Sequence, residues 1–74
     1  MAIHASTVIS LVPGRAPIRI VLGTIAEAAD PDRVGCWFVS VEAAAGITSA
    51  YEGGSREEAL AAYGREVTNC INSL

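Results

Sequence analysis

The first half of the chain is written in a period of two. Residues 6–12, STVISLV, are rich in β-branched side chains and stop at Pro13-Gly14, which predicts a strand closed by a turn. After the loop PGRAP, residues 18–28 set Ile18, Ile20 and Leu22 against Arg19, Val21 and Gly23, the alternation of a second strand. Gly23 is expected to mark a bulge there, because a glycine inside a strand often signals a kink or a close backbone approach. A polar turn, ADPDRVG, leads to a third strand at 36–43, with Trp37, Val39 and Val41 toward the core and Cys36, Phe38, Ser40 and Glu42 away from it. AAAG is too short to nucleate a helix, so it reads as a tight connection with its turn at Gly46. Residues 47–52 alternate again, Ile47, Ser49 and Tyr51 against Thr48, Ala50 and Glu52.

The period changes at YEGGSREEAL. Gly53 and Gly54 turn the chain, and Ser55 followed three residues later by Glu58 forms a capping box: the hydroxyl accepts from the Glu58 amide while the glutamate reaches back to the cap. Leu60, Tyr63, Val67, Cys70, Ile71 and Leu74 then recur at helical spacing, which predicts one amphipathic helix over about 55–72. Short links favour antiparallel neighbours, since parallel ones need long crossovers. The expected fold is therefore α+β, a four-stranded antiparallel meander followed by one C-terminal helix packed on one face (ββββα), in a single domain spanning 1–74. The other face would carry Val21, Phe38 and Ile9 or Leu11, an apolar surface of the kind that marks an interface.

Length makes that surface matter. A core of 74 residues rarely supplies more than about 3–5 kcal/mol unaided, so a partner subunit or another protein is expected to help. Apolar residues make up 51% of the chain and charged ones 18%, which leaves apolar surface to spare. The net charge of −3 disfavours general affinity for a nucleic-acid backbone, because that needs clustered cations. There is no lysine, and all eight carboxylates lie from Glu27 onward, while Arg15 and Arg19 give the first hairpin a positive character. No apolar run is long enough for a membrane span and the N-terminus lacks the order of a secretory signal, so the expected location is the cytoplasm.

Candidate chemistry adds little to this picture. The single histidine, His4, is expected to be solvated near the terminus, which leaves Ser55 and the two thiols without a base. Cys36 and Cys70 fit no zinc spacing; they read as buried thiols, or as a bridge within or between chains. Glu27, Asp30 and Asp32 lack the ligand pattern of a calcium loop, and Asp30 is expected to shape its turn while Asp32 stays in solvent. A phosphate on the helix start would meet Glu57 and Glu58, which already occupy the positive end of the dipole. Tyr51 and Tyr63 belong at the junction of sheet and helix rather than on a base-stacking platform. No cofactor, metal or catalytic set is expected, and the chain reads as a binder rather than an enzyme.

From Trp37 to Leu74 the pattern resembles HicB-type antitoxins. Strand, glycine turn, strand and G-S/T-x-x-E-A-L are shared, here as Gly46, then Gly54, Ser55, Glu58, Ala59 and Leu60. That resemblance implies a small α+β domain that occludes a toxin ribonuclease, often as a dimer. The turn AAAGI stands where that family has an acidic residue, Leu, Pro, Gly and Cys, and no DNA-binding tail follows the helix. In kind, without a shared motif, an acidic lysine-free domain of this size is also similar to small phage and mobile-element inhibitors, including anti-CRISPR proteins. Both likenesses imply occlusion of a protein that handles nucleic acid.

The expected function is accordingly a non-enzymatic inhibitor of a partner with a basic, nucleic-acid-binding surface. The carboxylates expected to meet it are Glu27, Asp30, Asp32 and Glu42, with Glu52, Glu57 and Glu58 as a second cluster, since charge complementarity speeds and orients encounter. The alternatives are a HicB-like antitoxin, a homo-oligomeric accessory module joined through sheet faces or edges, and a nucleic-acid binder using Arg15 and Arg19 of the first hairpin.

Overall fold

The computed structural model describes residues 2–10, 14, 16–27 and 29–72. Expectations that concern Leu11, Pro13, Arg15, Ala28 and Leu74 lie outside the described residues. Four strands, β1 (Ala2–Ile9), β2 (Ile18–Thr24), β3 (Trp37–Ala43) and β4 (Gly46–Gly53), form one antiparallel sheet in the order β1-β2-β3-β4. One helix, α1 (Arg56–Asn72), packs on it, mainly over β2, β3 and β4. The architecture is the expected ββββα meander. No helix among the described residues is long and apolar enough to cross a membrane.

Alternation sorts β2 and β3 as their sequences predict. Ile20, Leu22 and Val39 are buried toward the helix, with Ile18, Trp37 and Val41 packed around them. Ile20 and Val39 are fully enclosed, and burial of each such side chain stabilises the fold by about 1.5–3 kcal/mol. The link from β3 to β4 is two residues long. No non-glycine residue in it takes positive φ; Gly46 does, at +133°.

The outer strands break the pattern, each by one residue. In β1, Ile3 pairs with Gly23 and Ala5 with Leu22, so His4 is an extra residue. The bulge expected at Gly23 is therefore in its partner strand, directly opposite that glycine. In β4, Val39 pairs with Tyr51 and Ser40 with Ser49, so Ala50 is extra. An added residue reverses the facing of everything beyond it. Tyr51 consequently sits on the helix side, while Ile47 and Ser49 lie on the opposite face with Glu52, which corrects the alternation expected for this strand. Ile9 is also corrected: it pairs with Ile18 and belongs to the core, not to the uncovered face.

The helix is rotated from its expected stripe. Ala59 and Ala62 are its buried residues, flanked by Tyr63, Val67 and Cys70, whereas Leu60 and Ile71 are 45% and 52% exposed. Two small side chains at the contact let the helix lie close to the sheet, and the larger Leu60 and Ile71 turn outward. The cap is half as expected. Ser55 Oγ accepts from the Glu58 amide at 3.2 Å, but the Glu58 carboxylate accepts from the Tyr51 hydroxyl at 3.1 Å. That hydroxyl lies within 3.3 Å of the Ser55 carbonyl oxygen as well, so Tyr51 ties the end of β4 to the start of α1.

Candidate protein-binding face

With α1 on one side, the other side of the sheet is uncovered, and register alone arranges it in three rows across the strands. The first row is Val8, Arg19, Glu42 and Ile47; the last is Ile3, Gly23, Phe38 and Glu52. Between them run Ser6, Val21, Ser40 and Ser49. Three hydroxyls and one valine, Val21, itself only 4% exposed, make a low floor between two taller ridges. A groove of about 590 Å³ occupies the part of this face over β2, β3 and β4, lined among others by Val21, Phe38, Ser40, Ile47 and Ser49; from β1 it takes Ile3, and Ser6 and Val8 lie outside the lining.

One wall of the groove comes from the loop between β2 and β3, which contributes Ile25, Glu27, Ala29 and Arg33. The loop is closed at its base by Ile25 N donating to the Cys36 carbonyl at 2.9 Å and Gly35 N to the Ile25 carbonyl at 2.8 Å. Asp30 caps a single 3-10 turn, Pro31–Arg33, its side chain accepting from Asp32 N at 3.0 Å. Asp30 therefore shapes the turn, and Asp32 is exposed, as expected. Arg33 then reaches back to the sheet. Its guanidinium grips Glu52 with two bonds, Nε to Oε2 at 3.0 Å and a second from Nη2 to Oε1. These hydrogen bonds, with the attraction of the opposite charges, hold Glu52 below the usual carboxylate range and raise Arg33.

The seven carboxylates expected to meet a partner fall into different surroundings. Glu27, Glu42 and Glu52 line the groove, so Glu52 joins the first group rather than the helix start. Glu42 is bonded to Arg19, directly opposite on β2, at 3.2 Å, and Glu52 to Arg33. Asp30 and Asp32 stand on the wall loop beyond Glu27. Glu57 and Glu58 are in the first turn of α1, Glu58 bound by Tyr51. The carboxylates of Glu27, Asp32 and Glu57 are exposed and bond no side chain among the described residues. Within the groove lining, two arginines meet three glutamates, leaving a net charge of −1.

Other groups with chemistry of their own are placed as follows. His4 is exposed, as expected, but ordered by its strand: the ring lies 4.8 Å from that of Trp37, and Nε2 is 3.3 Å from Thr24 Oγ1. No carboxylate orients the other ring nitrogen among the described residues, so this pair lacks the third member of an activated nucleophile. Cys36 and Cys70 are both half-buried and are not joined in a disulfide, and Cys36 donates to the Asp32 carbonyl at 3.6 Å. Among the described residues no three His, Cys, Asp or Glu side chains converge to hold a metal ion. Arg19, assigned to a basic hairpin by its sequence position, is engaged with Glu42.

The three-row arrangement is what sequence reasoning missed, because it depends on which residues pair across strands. Ser40 and Ser49 carried no signal of their own in the sequence. In comparisons with protein families, with characterised proteins and with solved structures, nothing matches this chain. The functional assignment rests on the surface itself.

Proposed function

We propose that the chain is a non-enzymatic inhibitor that binds a protein handling nucleic acid and covers that protein's basic surface, as inhibitors of the anti-CRISPR kind do. The observation that carries this reading is the uncovered sheet face: a groove with an apolar and hydroxyl floor, a net negative lining, and a wall whose loop adds Asp30 and Asp32. An uncovered apolar groove of this kind gains free energy when another surface removes it from water. The unpaired carboxylates at one end orient a cationic partner.

The test is a competition. The immobilised chain is used to retain proteins from a nuclease-treated host lysate, and each retained protein is assayed for nucleic-acid binding with and without the free chain. Loss of nucleic-acid binding as the chain is added is the expected result. A larger complex holding nucleic acid, partner and chain together would defeat the occlusion reading. Charge reversal at Asp30 and Asp32 is expected to weaken capture and flatten its salt dependence.

A further inference from the structure

The shape of the face restricts what can lie in it. Both edges of the sheet are interrupted, β1 by the bulge at His4 and β4 by the bulge at Ala50. Bulged edges are poor templates for an added strand. Side-chain docking on the face is the mode left open. There the two ridges are four residues apart along β2, from Arg19 to Gly23, or about 13 Å at about 3.3 Å per residue. An α-helix with its side chains is about 10 Å across, and about ten residues of it cover the roughly 14 Å from β1 to β4.

Charge sets the chemistry of that helix. The lining is net negative and Glu27, exposed on the loop, belongs to it, while Asp30 and Asp32 sit on the same loop outside the lining. A second copy of the chain, itself at −3, would bring like charge to this wall, and the described cations of the sheet and loop, Arg19 and Arg33, are both engaged. We infer that the groove receives a short amphipathic helix of the partner. It lies across the strands over Val21, Ser40 and Ser49, apolar side chains against Phe38 and Ile47, lysines or arginines toward Glu27 and the loop that carries Asp30 and Asp32. The inference rests on the inhibitor reading above and names the element of the partner that is recognised.

The probe is a synthetic peptide of about 14 residues with leucines at helical spacing and lysines elsewhere, about 21 Å long when helical. It is compared with a leucine–glutamate counterpart and with a lysine peptide of the same charge whose leucines are scrambled off one face. Binding to the full chain is followed by amide shifts. Saturable binding of the first peptide alone, with shifts centred on Val21, Phe38, Ser40 and Ser49, is expected. Ser49→Trp, which fills the floor at an exposed position, is expected to weaken it about tenfold, and Glu27→Lys to reduce its salt dependence. No shifts, shifts confined to α1, or equal binding of the glutamate peptide overturns the inference. So does concentration-dependent self-association that perturbs the same amides, which would assign the groove to a second copy. If the peptides fail while the chain still displaces nucleic acid from a captured partner, the inhibitor reading stands and only the helix is lost.

Discussion

The Tyr51 hydroxyl fills the space that a side chain on Gly53 would need: a β-carbon there would stand 2.6 Å from it and 3.0 Å from the ring carbon that bears it. Tyrosine and glycine, two residues apart on β4, form one joint. The ring passes over the glycine to bond Glu58 and the Ser55 carbonyl, and so fixes where α1 begins.

Gly53→Ala is expected to push that ring aside. Both bonds from the hydroxyl are then lost, and the first helical bond, Ala59 N to the Ser55 carbonyl at 3.1 Å, frays. Faster hydrogen exchange at the Ala59 amide is the readout. Exchange no faster than in the parent chain would show that the joint does not hold the helix start.

Alkaline pH is expected to weaken the same joint. Burial, and then the hydrogen bond to Glu58, raise the Tyr51 phenol above 10.0. A folded value above the unfolded one gives a contribution that is complete below pH 10 and is lost as pH rises through the raised value. Thermal melts of the parent chain should therefore fall more steeply in this range than those of Tyr51→Phe. Parallel curves would contradict the assignment.

Acid should release the wall of the groove. Glu52 is held below 4.5 by Arg33, so its contribution is complete above that value and is lost as pH falls through the lowered one. Between pH 5 and pH 8 the loop is expected to stay in place. As pH falls through that lowered value the melting temperatures of the parent and Glu52→Gln should converge, because both then lack the ion pair. A gap that persists in acid would mean that the pair does not anchor the loop.

Two substitutions on α1 should behave in opposite ways to what the hydrophobic stripe in the sequence suggests. Ala62→Leu forces bulk into a contact that is 2% exposed, and is expected to cost about 1–3 kcal/mol. For a domain of this size each kcal/mol lowers the melting temperature by about 4–8 °C. Leu60→Ala, at 45% exposure, should change stability by less than about 0.5 kcal/mol. Calorimetric melts of the two variants decide it, and equal losses would return Leu60 to the core.

How much of this was legible beforehand follows from where the information resides. Order and type of the elements were readable because Ile18, Ile20 and Leu22, or Trp37, Val39 and Val41, show their period within a few residues of chain. The faces of β1 and β4 were not. A bulge is defined by a partner strand, and nothing near Ala50 announces that Tyr51 will turn over to meet Glu58. The helix stripe erred because large apolar residues attract attention, whereas a close approach to the sheet selects the small ones, Ala59 and Ala62. The carboxylates were visible as a set, yet the pairs that divide them, Arg19 with Glu42 and Arg33 with Glu52, join residues about twenty positions apart.

The loop from Ile25 to Cys36 is tied at its base by two backbone bonds and at its tip by Arg33. A visitor to the groove thus finds a wall already standing, and little chain entropy remains to be surrendered on arrival. Complex formation should look calorimetrically like rigid docking, with a heat-capacity change set by the contact area alone and no added increment from folding.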